Sequence, residues 1–328
     1  MDIEKFYAKC FQGNILEAID YLESFENNSE DILELEQKYI HRFVTQDEVL
    51  KIDSEDPWIQ EVLKCYYKYY ISVLTNHDVQ ESEKQLTVRL AKTLLMNEGA
   101  EIDEIETKLE SIFSEKGYSF LGGETAPYRG PYIWKTTNKE DFLVELPCGN
   151  QKVTVFFISE FLMLSWLHFA TFGKRHTGGW AKEEGIYYVN ADNKKIDTHS
   201  ADFQVWFLKH EAQHLSDYAK YPNLKGAGLE YRAKLVEIIY YPDTFTKLET
   251  YINQSKNDKS LAHPYAAFLI VKGLSNVFFG KEFVGDLEKW KTFDSSSISK
   301  ETLNLFMENE RALSGENCET RVDRFYLL

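Results

Sequence analysis

The chain has 328 residues, 43% of them hydrophobic and 15% aromatic, enough apolar material for a buried interior and too much for general disorder. Its formal net charge is −16 and its pI about 5.0, with acidic side chains spread along the chain. Such a surface repels a phosphate backbone and an anionic lipid face, which argues against nucleic acid or a membrane as partner.

At this length, one large domain with helical additions and two domains are both open. The opening MDIEKFYAKCFQGN mixes acids, lysines and a glycine, and lacks the uninterrupted apolar core of a secretory signal. The most apolar later window, Phe156 to Phe172, is interrupted by Ser159, Glu160 and His168 and is short for a membrane span. Cys10, Cys65, Cys148 and Cys318 lie far apart and form no C-x-x-C pair, which points to a reducing compartment and away from a disulfide framework or a thiolate zinc site. The expectation is a soluble, cytoplasmic protein, with no sign in the sequence of its oligomeric state.

Apolar residues recur at spacings of three and four in NILEAIDYLESF, in IQEVLKCYYKYYISVL and in VRLAKTLLMNEGAEIDEIETKLESIF, the last with a helix stop at Asn97, Glu98 and Gly99. Residues 1–118 are therefore expected to form a helical N-terminal subdomain, followed by a second domain over 119–328. From Tyr132 the texture favours strands: YIWKTT, DFLVEL and KVTVFFI, with the turn residues PCGNQ between the last two predicting an antiparallel hairpin. SEFLMLSWLHFATF then reads as a helix ending at Gly173, KRHTGGWAKEEG as a loop, and GIYYVN as one more strand. Ser200 is a candidate N-cap for a helix over about 201–219, which Tyr221, Pro222, Asn223 and Gly226 end. A further helix starts near Gly228 with LEYRAKLVEIIYY, and the chain beyond Thr246 reads as helical segments punctuated by Pro264, Gly280 and the serines at 295–297.

The 201–219 helix carries HEAQH, residues 210–214, an H-E-x-x-H pattern. Histidines four apart share one helix face about 6 Å apart, so both imidazoles can reach one cation while Glu211 projects beside them. Phe203, Trp206, Phe207 and Tyr218 lie on or beside that face, which predicts a recess and not a solvated surface. A hydrolytic zinc site of this kind takes a third protein ligand and keeps a fourth position for water. Glu230 and Glu237 on the next helix are the candidates, and a separation of roughly 10 Å along that helix prevents both from binding one ion.

HEAQH, a turn, and the E-x-x-A of GLEYRAKL together resemble the glutamate-type zincin metallopeptidases, which include the thermolysin-like enzymes; the likeness covers roughly residues 130–241. The resemblance implies an α+β fold in which a small, mostly antiparallel sheet packs on the motif helix, with GIYYVN as its edge strand. It implies Zn2+ held by His210, His214 and Glu230, with Ala233 as the small residue that lets the helices pack closely. Where many such enzymes carry an aspartate four residues after the glutamate, this chain has Lys234; Asp217 is a candidate to support a zinc histidine instead, and an ordinary surface aspartate is the alternative.

The function expected is peptide-bond hydrolysis on a peptide or protein substrate, with Glu211 as general base for a metal-activated water. His263, Tyr265 and His176 are the visible donors for an oxyanion, each with a structural role as the alternative. A di-iron carboxylate bundle is a poor fit, because no other histidine has a glutamate three residues before it. The competing class is a catalytically silent zincin-like binding or regulatory module; the intact Glu211 favours catalysis, since metal binding alone does not require it.

Overall fold

The computed structural model describes residues 2–25, 29–48, 50–76, 78–97 and 99–315; Glu98, Cys318 and the rest of the C-terminal stretch 316–328 lie outside the described residues. The protein is α+β and divides into two compact units. One runs to Thr137 and takes in Ile158–Thr177 and Val189–Lys194; the other comprises Asn138–Phe157, Gly178–Tyr188 and the chain from Lys195. The boundary expected at 118/119 therefore differs from the observed division, because the helices of the first third share their unit with strands and with two segments that return later in the chain.

The first unit carries the helices expected before residue 118: α1 (Ile3–Phe11), α2 (Ile15–Glu23), α3 (Glu30–Tyr39), α4 (Pro57–Asn76), α5 (Val79–Thr93) and α6 (Ile102–Glu115). Helix α4 shows how local chemistry starts an element. Pro57 takes the first position, where a missing N–H costs nothing, and the Asp56 carboxylate accepts from Trp58 N at 2.8 Å and Ile59 N at 3.2 Å. Its buried side chains, among them Val62, Tyr66, Tyr69, Tyr70 and Val73, recur at helical spacing and join Phe6, Tyr39, Phe43 and Phe113 in one core. Cys10, Cys65 and Cys148 are free thiols.

The strands are β1 (Ser119–Leu121), β2 (Glu124–Thr125), β3 (Tyr128–Arg129), β4 (Tyr132–Leu146), β5 (Gly149–Leu164), β6 (Gly179–Lys182) and β7 (Gly185–Val189). Five form a sheet in the order β1-β4-β5-β7-β6, and β2 pairs with β3 alone. The expected hairpin is present, with Pro147 and Cys148 between β4 and β5, but YIWKTT and DFLVEL belong to one continuous strand.

Two expectations are corrected. The run SEFLMLSWLHFATF is not one long helix: β5 continues to Leu164, and only α7 (Ser165–Ala170) is helical. An apolar run of this kind cannot be assigned by period alone, and here its aromatic residues continue a paired strand. Ser165, with φ of +59°, makes the break between strand and helix. GIYYVN forms β7 as expected, yet it is not the edge strand, because β6, within what reads as the loop KRHTGGWAKEEG, pairs outside it with Gly179 opposite Tyr188 and Lys182 opposite Gly185. Gly185 opens β7 at φ +146°, and a Cβ there would collide with the Thr154 carbonyl of the neighbouring β5.

The second unit holds a π-helical run, Asp202–Lys209, that leads into α8 (His210–Lys220), then α9 (Ala227–Tyr240), α10 (Thr244–Gln254), α11 (Ala262–Phe279), α12 (Leu287–Trp290) and α13 (Ser295–Ser314). The helix expected over 201–219 is thus π-helical in its first half. Ser200 caps it, its hydroxyl accepting from Phe203 N at 3.2 Å. Pro264 falls in the first turn of α11 and does not interrupt it, while Gly280 ends that helix in the left-handed conformation. Helix α9 packs against α8, α10, α11 and α13 and is buried on nearly every side. Its polar side chains, Glu230, Arg232, Lys234 and Glu237, therefore sit where each must find a partner. Among the described residues no helix is long and apolar enough to cross a membrane.

Candidate metal centre

The centre lies wholly within the second unit. His210 and His214, one turn apart on α8, are both buried. The turn ending at Gly226 brings α9 alongside, so that Glu230, in its first turn, faces both imidazoles. His210 Nε2 and His214 Nε2 are 3.1 Å apart; Glu230 lies 3.7 Å from the first and 3.4 Å from the second. One ligand atom from each of the three residues falls within 4.8 Å of the others. The expected triad His210, His214 and Glu230 is therefore brought together, and it could hold a metal ion.

The fit can be tested on the imidazoles. Two nitrogens bound to one tetrahedral zinc at usual bond lengths stand about 3.3 Å apart. The observed spacing is close to that. Moreover, His210 Nδ1 lies 2.7 Å from Glu237 Oε1 in a buried contact. A carboxylate only accepts, so the ring donates there, and a neutral His210 presents a bare Nε2 to the centre.

Glu237, the alternative third ligand, meets His210 Nδ1 and is not among the three residues that converge. Burial by itself would raise its pKa, but the hydrogen bond from His210, with the charges of His210, Lys234 and Lys247, outweighs burial and lowers it. Lys247 Nζ stands 3.3 Å from Glu237 Oε2. Burial lowers the pKa of both Lys234 and Lys247 against the pull of Glu237.

For Glu230, burial is again opposed by larger combined effects: hydrogen bonds from His214 and His263 and the charges of His210 and His214 hold its carboxyl well below the usual range. Burial of His214 pushes its pKa down, but the Glu230 hydrogen bond and charge, together with Glu211 and Asp217, raise it.

Asp217 is buried, and its hydrogen bonds go to Arg232 and Gln213 rather than to a histidine. Both its oxygens accept from Arg232 Nε at 2.9 Å and one also accepts from Gln213 Nε2 at 2.8 Å, while His214 Nδ1 is buried with no hydrogen-bond partner among the described residues. Arg232, fifteen residues along the chain, pairs with the aspartate because α9 turns its guanidinium into the interior, where a buried cation needs a counter-charge.

Of the three candidate oxyanion donors, His263 reaches the centre: its Nδ1 lies 2.8 Å from Glu230 Oε2, with the side chain largely exposed. Tyr265 is buried and stacks on Phe268, and His176 contacts its neighbour's carbonyl at Thr177 from within the first unit. The aromatic surround is uneven. Phe203 is buried, but Trp206 is 56% exposed and Tyr218 47%. Tyr218 stacks on the His214 ring at 6.2 Å, and burial with the nearby charges of Glu211 and Glu230 raises its pKa. Glu211 itself is half-buried.

Sequence reasoning missed the roles of Glu237 and Lys247 and the position of β6. A signal existed for Glu237, which stands seven residues after Glu230 and so on the same side of α9. None existed for Lys247. No protein-family model, curated protein or solved structure matches the chain.

Proposed function

We propose that this protein is a zinc-dependent hydrolase of peptide bonds. His210, His214 and Glu230 would hold the ion; their carriage on two packed helices is also what the resemblance to glutamate-type zincins implies. When bound, zinc supplies a Lewis acid that acidifies a water and polarises a carbonyl. The observation that carries the reading is the Glu237 carboxylate on His210 Nδ1, which leaves two Nε2 atoms and one carboxylate facing a common point. The contacts these groups make with one another, His214 with His210 and Glu230 with His214 and His263, are ones that a bound ion would replace.

Glu211 lies on the same helix, half-buried and near enough for its charge to act on His214 and Tyr218. As general base it would take the proton from the attacking water and pass it to the leaving amine. Strand β6 ends the sheet order and packs near α8, and strand addition of an extended peptide to it is the binding mode that would suit a peptide substrate.

The test is metal analysis of the purified protein with His210→Ala as control, followed by hydrolysis of a peptide library. One zinc per chain is expected, lost in the control. Glu211→Gln should keep the metal and lose on the order of 10²- to 10⁴-fold in rate. A wild-type protein without stoichiometric metal overturns the reading, and a zinc-loaded protein that cleaves nothing reduces it to a metal-binding module.

A further inference from the structure

Behind Glu237 stands a third layer. Lys247, on α10, is buried, and its ammonium lies 4.2 Å from the centre of the Trp206 ring and 4.4 Å from that of Tyr241, while pairing with Glu237 Oε2 at 3.3 Å. Two aromatic faces and one carboxylate thus confine it; the rings attract the cation and take the place of its lost water. Trp206 comes from the π-helical run just before His210, and Tyr241 follows the end of α9, which carries Glu230 and Glu237. Tyr241 is itself tied, its hydroxyl donating to Asp202 Oδ1 at 2.6 Å. The lysine therefore joins the segments on which all the candidate ligands ride.

We infer that Lys247 is a positioning residue for the metal centre, acting through Glu237. Resting on the metal-binding reading above, the inference adds a residue to which neither the H-E-x-x-H pattern nor the resemblance assigns a part. Glu237 has two oxygens and can turn about its last bond. With Oε2 anchored on Lys247, Oε1 stays in line with His210 Nδ1, and the ring keeps its proton on Nδ1 and its lone pair on Nε2. Lys234 does not substitute for this anchor: its ammonium donates to Gln254 Oε1 at 3.1 Å and reaches Glu237 by charge alone. Without Lys247, Glu237 keeps the neutral Tyr251 hydroxyl beside its far end; the carboxylate is freer to swing away, and His210 can carry its proton on Nε2, the form that cannot bind a metal through that atom.

The experiment compares wild type, Lys247→Met and Lys247→Arg as full chains. Zinc affinity is measured by competition with a chromophoric chelator, and the His210 tautomer by ¹⁵N NMR of the metal-free protein. Lys247→Met is expected to weaken zinc binding by roughly 10- to 100-fold, the usual effect of losing a partner behind a ligand. Its metal-free spectrum should show the Nε2–H form of His210, absent from wild type. Lys247→Arg, which keeps the cation and its ring contacts, should restore both. If Lys247→Met fails to fold, Trp206→Leu, at a half-exposed position, loosens the same clamp and should shift both readouts in the same direction by less. Wild-type affinity with an unchanged tautomer, in whichever of these two variants folds, overturns the inference. A wild-type chain that binds no zinc defeats the functional reading, while the tautomer in metal-free protein still decides the part played by Lys247.

Discussion

Two clusters of buried charge lie along the contact of α8 with α9, and they are built on opposite plans. In one, Arg232 is fully buried, its Nε shared by both oxygens of Asp217, its Nη1 donating to Asn309 Oδ1 at 2.7 Å and its Nη2 to Glu310 Oε2 at 2.6 Å. Every branch of the guanidinium is spoken for. In the other, His210, His214 and Glu230 turn their ligating atoms toward one another, with His214 Nε2 3.1 Å from His210 Nε2 and Glu230 meeting His214 and His263. Both are anion–cation groupings on the same pair of helices, and both perturb pKa values. Burial and perturbed titration are thus common to both; what differs is that the first cluster pairs unlike charges, whereas the second gathers three potential metal ligands at one point.

The sharpest way to break that distinction is Arg232→Met. Removing the cation leaves Asp217 buried without its partner, and stability should fall by about 3–5 kcal/mol, the usual cost of breaking a buried pair from one side. Chemical denaturation of the metal-free protein measures it. The zinc affinity of the folded variant should stay near wild type, because no ligand and no residue behind a ligand has changed. A large loss of affinity with little loss of stability would mean that the two clusters form a single network.

The converse perturbation is the metal itself. With free zinc at a hundred times its dissociation constant, binding to the folded state alone stabilises by about 2.7 kcal/mol. Addition of a chelator should lower the unfolding midpoint of the loaded protein by a corresponding amount, read by thermal scanning with and without chelator. His210→Ala should show no such shift. If the control shifts equally, the ion is held elsewhere.

The same contrast explains how much of the molecule could be read in advance. The motif helix was legible because spacing of four on a helix fixes which side chains are neighbours, and Glu230 because a short turn folds α9 back along α8. The fate of Asp217 was not, since its partner Arg232 becomes adjacent only after two helices pack, and an aspartate one turn beyond a histidine looks the same whichever partner claims it. Glu237, a candidate ligand by sequence, lies instead against His210 Nδ1. Its helical position was visible, but which nitrogen of His210 it meets depends on how far along its axis α9 is set against α8. The extension of β5 through Leu164 escaped for a different reason: FFISEFLML suits a buried helix and a paired strand equally, and only the neighbouring strands decide. The α+β class survived that error because it rests on the stretches whose period is unambiguous.

The smallest expected effect probes the outer layer of the open cluster. Asp243 precedes α10 and accepts from Phe245 N at 3.1 Å and Thr246 N at 3.2 Å, closing the first turn of the helix that carries Lys247. Asp243→Ala removes this cap and should cost about 1 kcal/mol in stability. The first turn of α10 is where an uncapped helix frays, and Lys247 is its fourth residue, so any loosening reaches the ammonium before it reaches Glu237. Zinc affinity should then fall by less than in Lys247→Met, and Asp243→Asn, which keeps an accepting oxygen, should recover most of both losses. An Asp243→Ala protein with reduced stability and unaltered zinc affinity would show that the two rings and Glu237 hold Lys247 without help from the start of its own helix. The positional control over His210 would then end at the aromatic clamp.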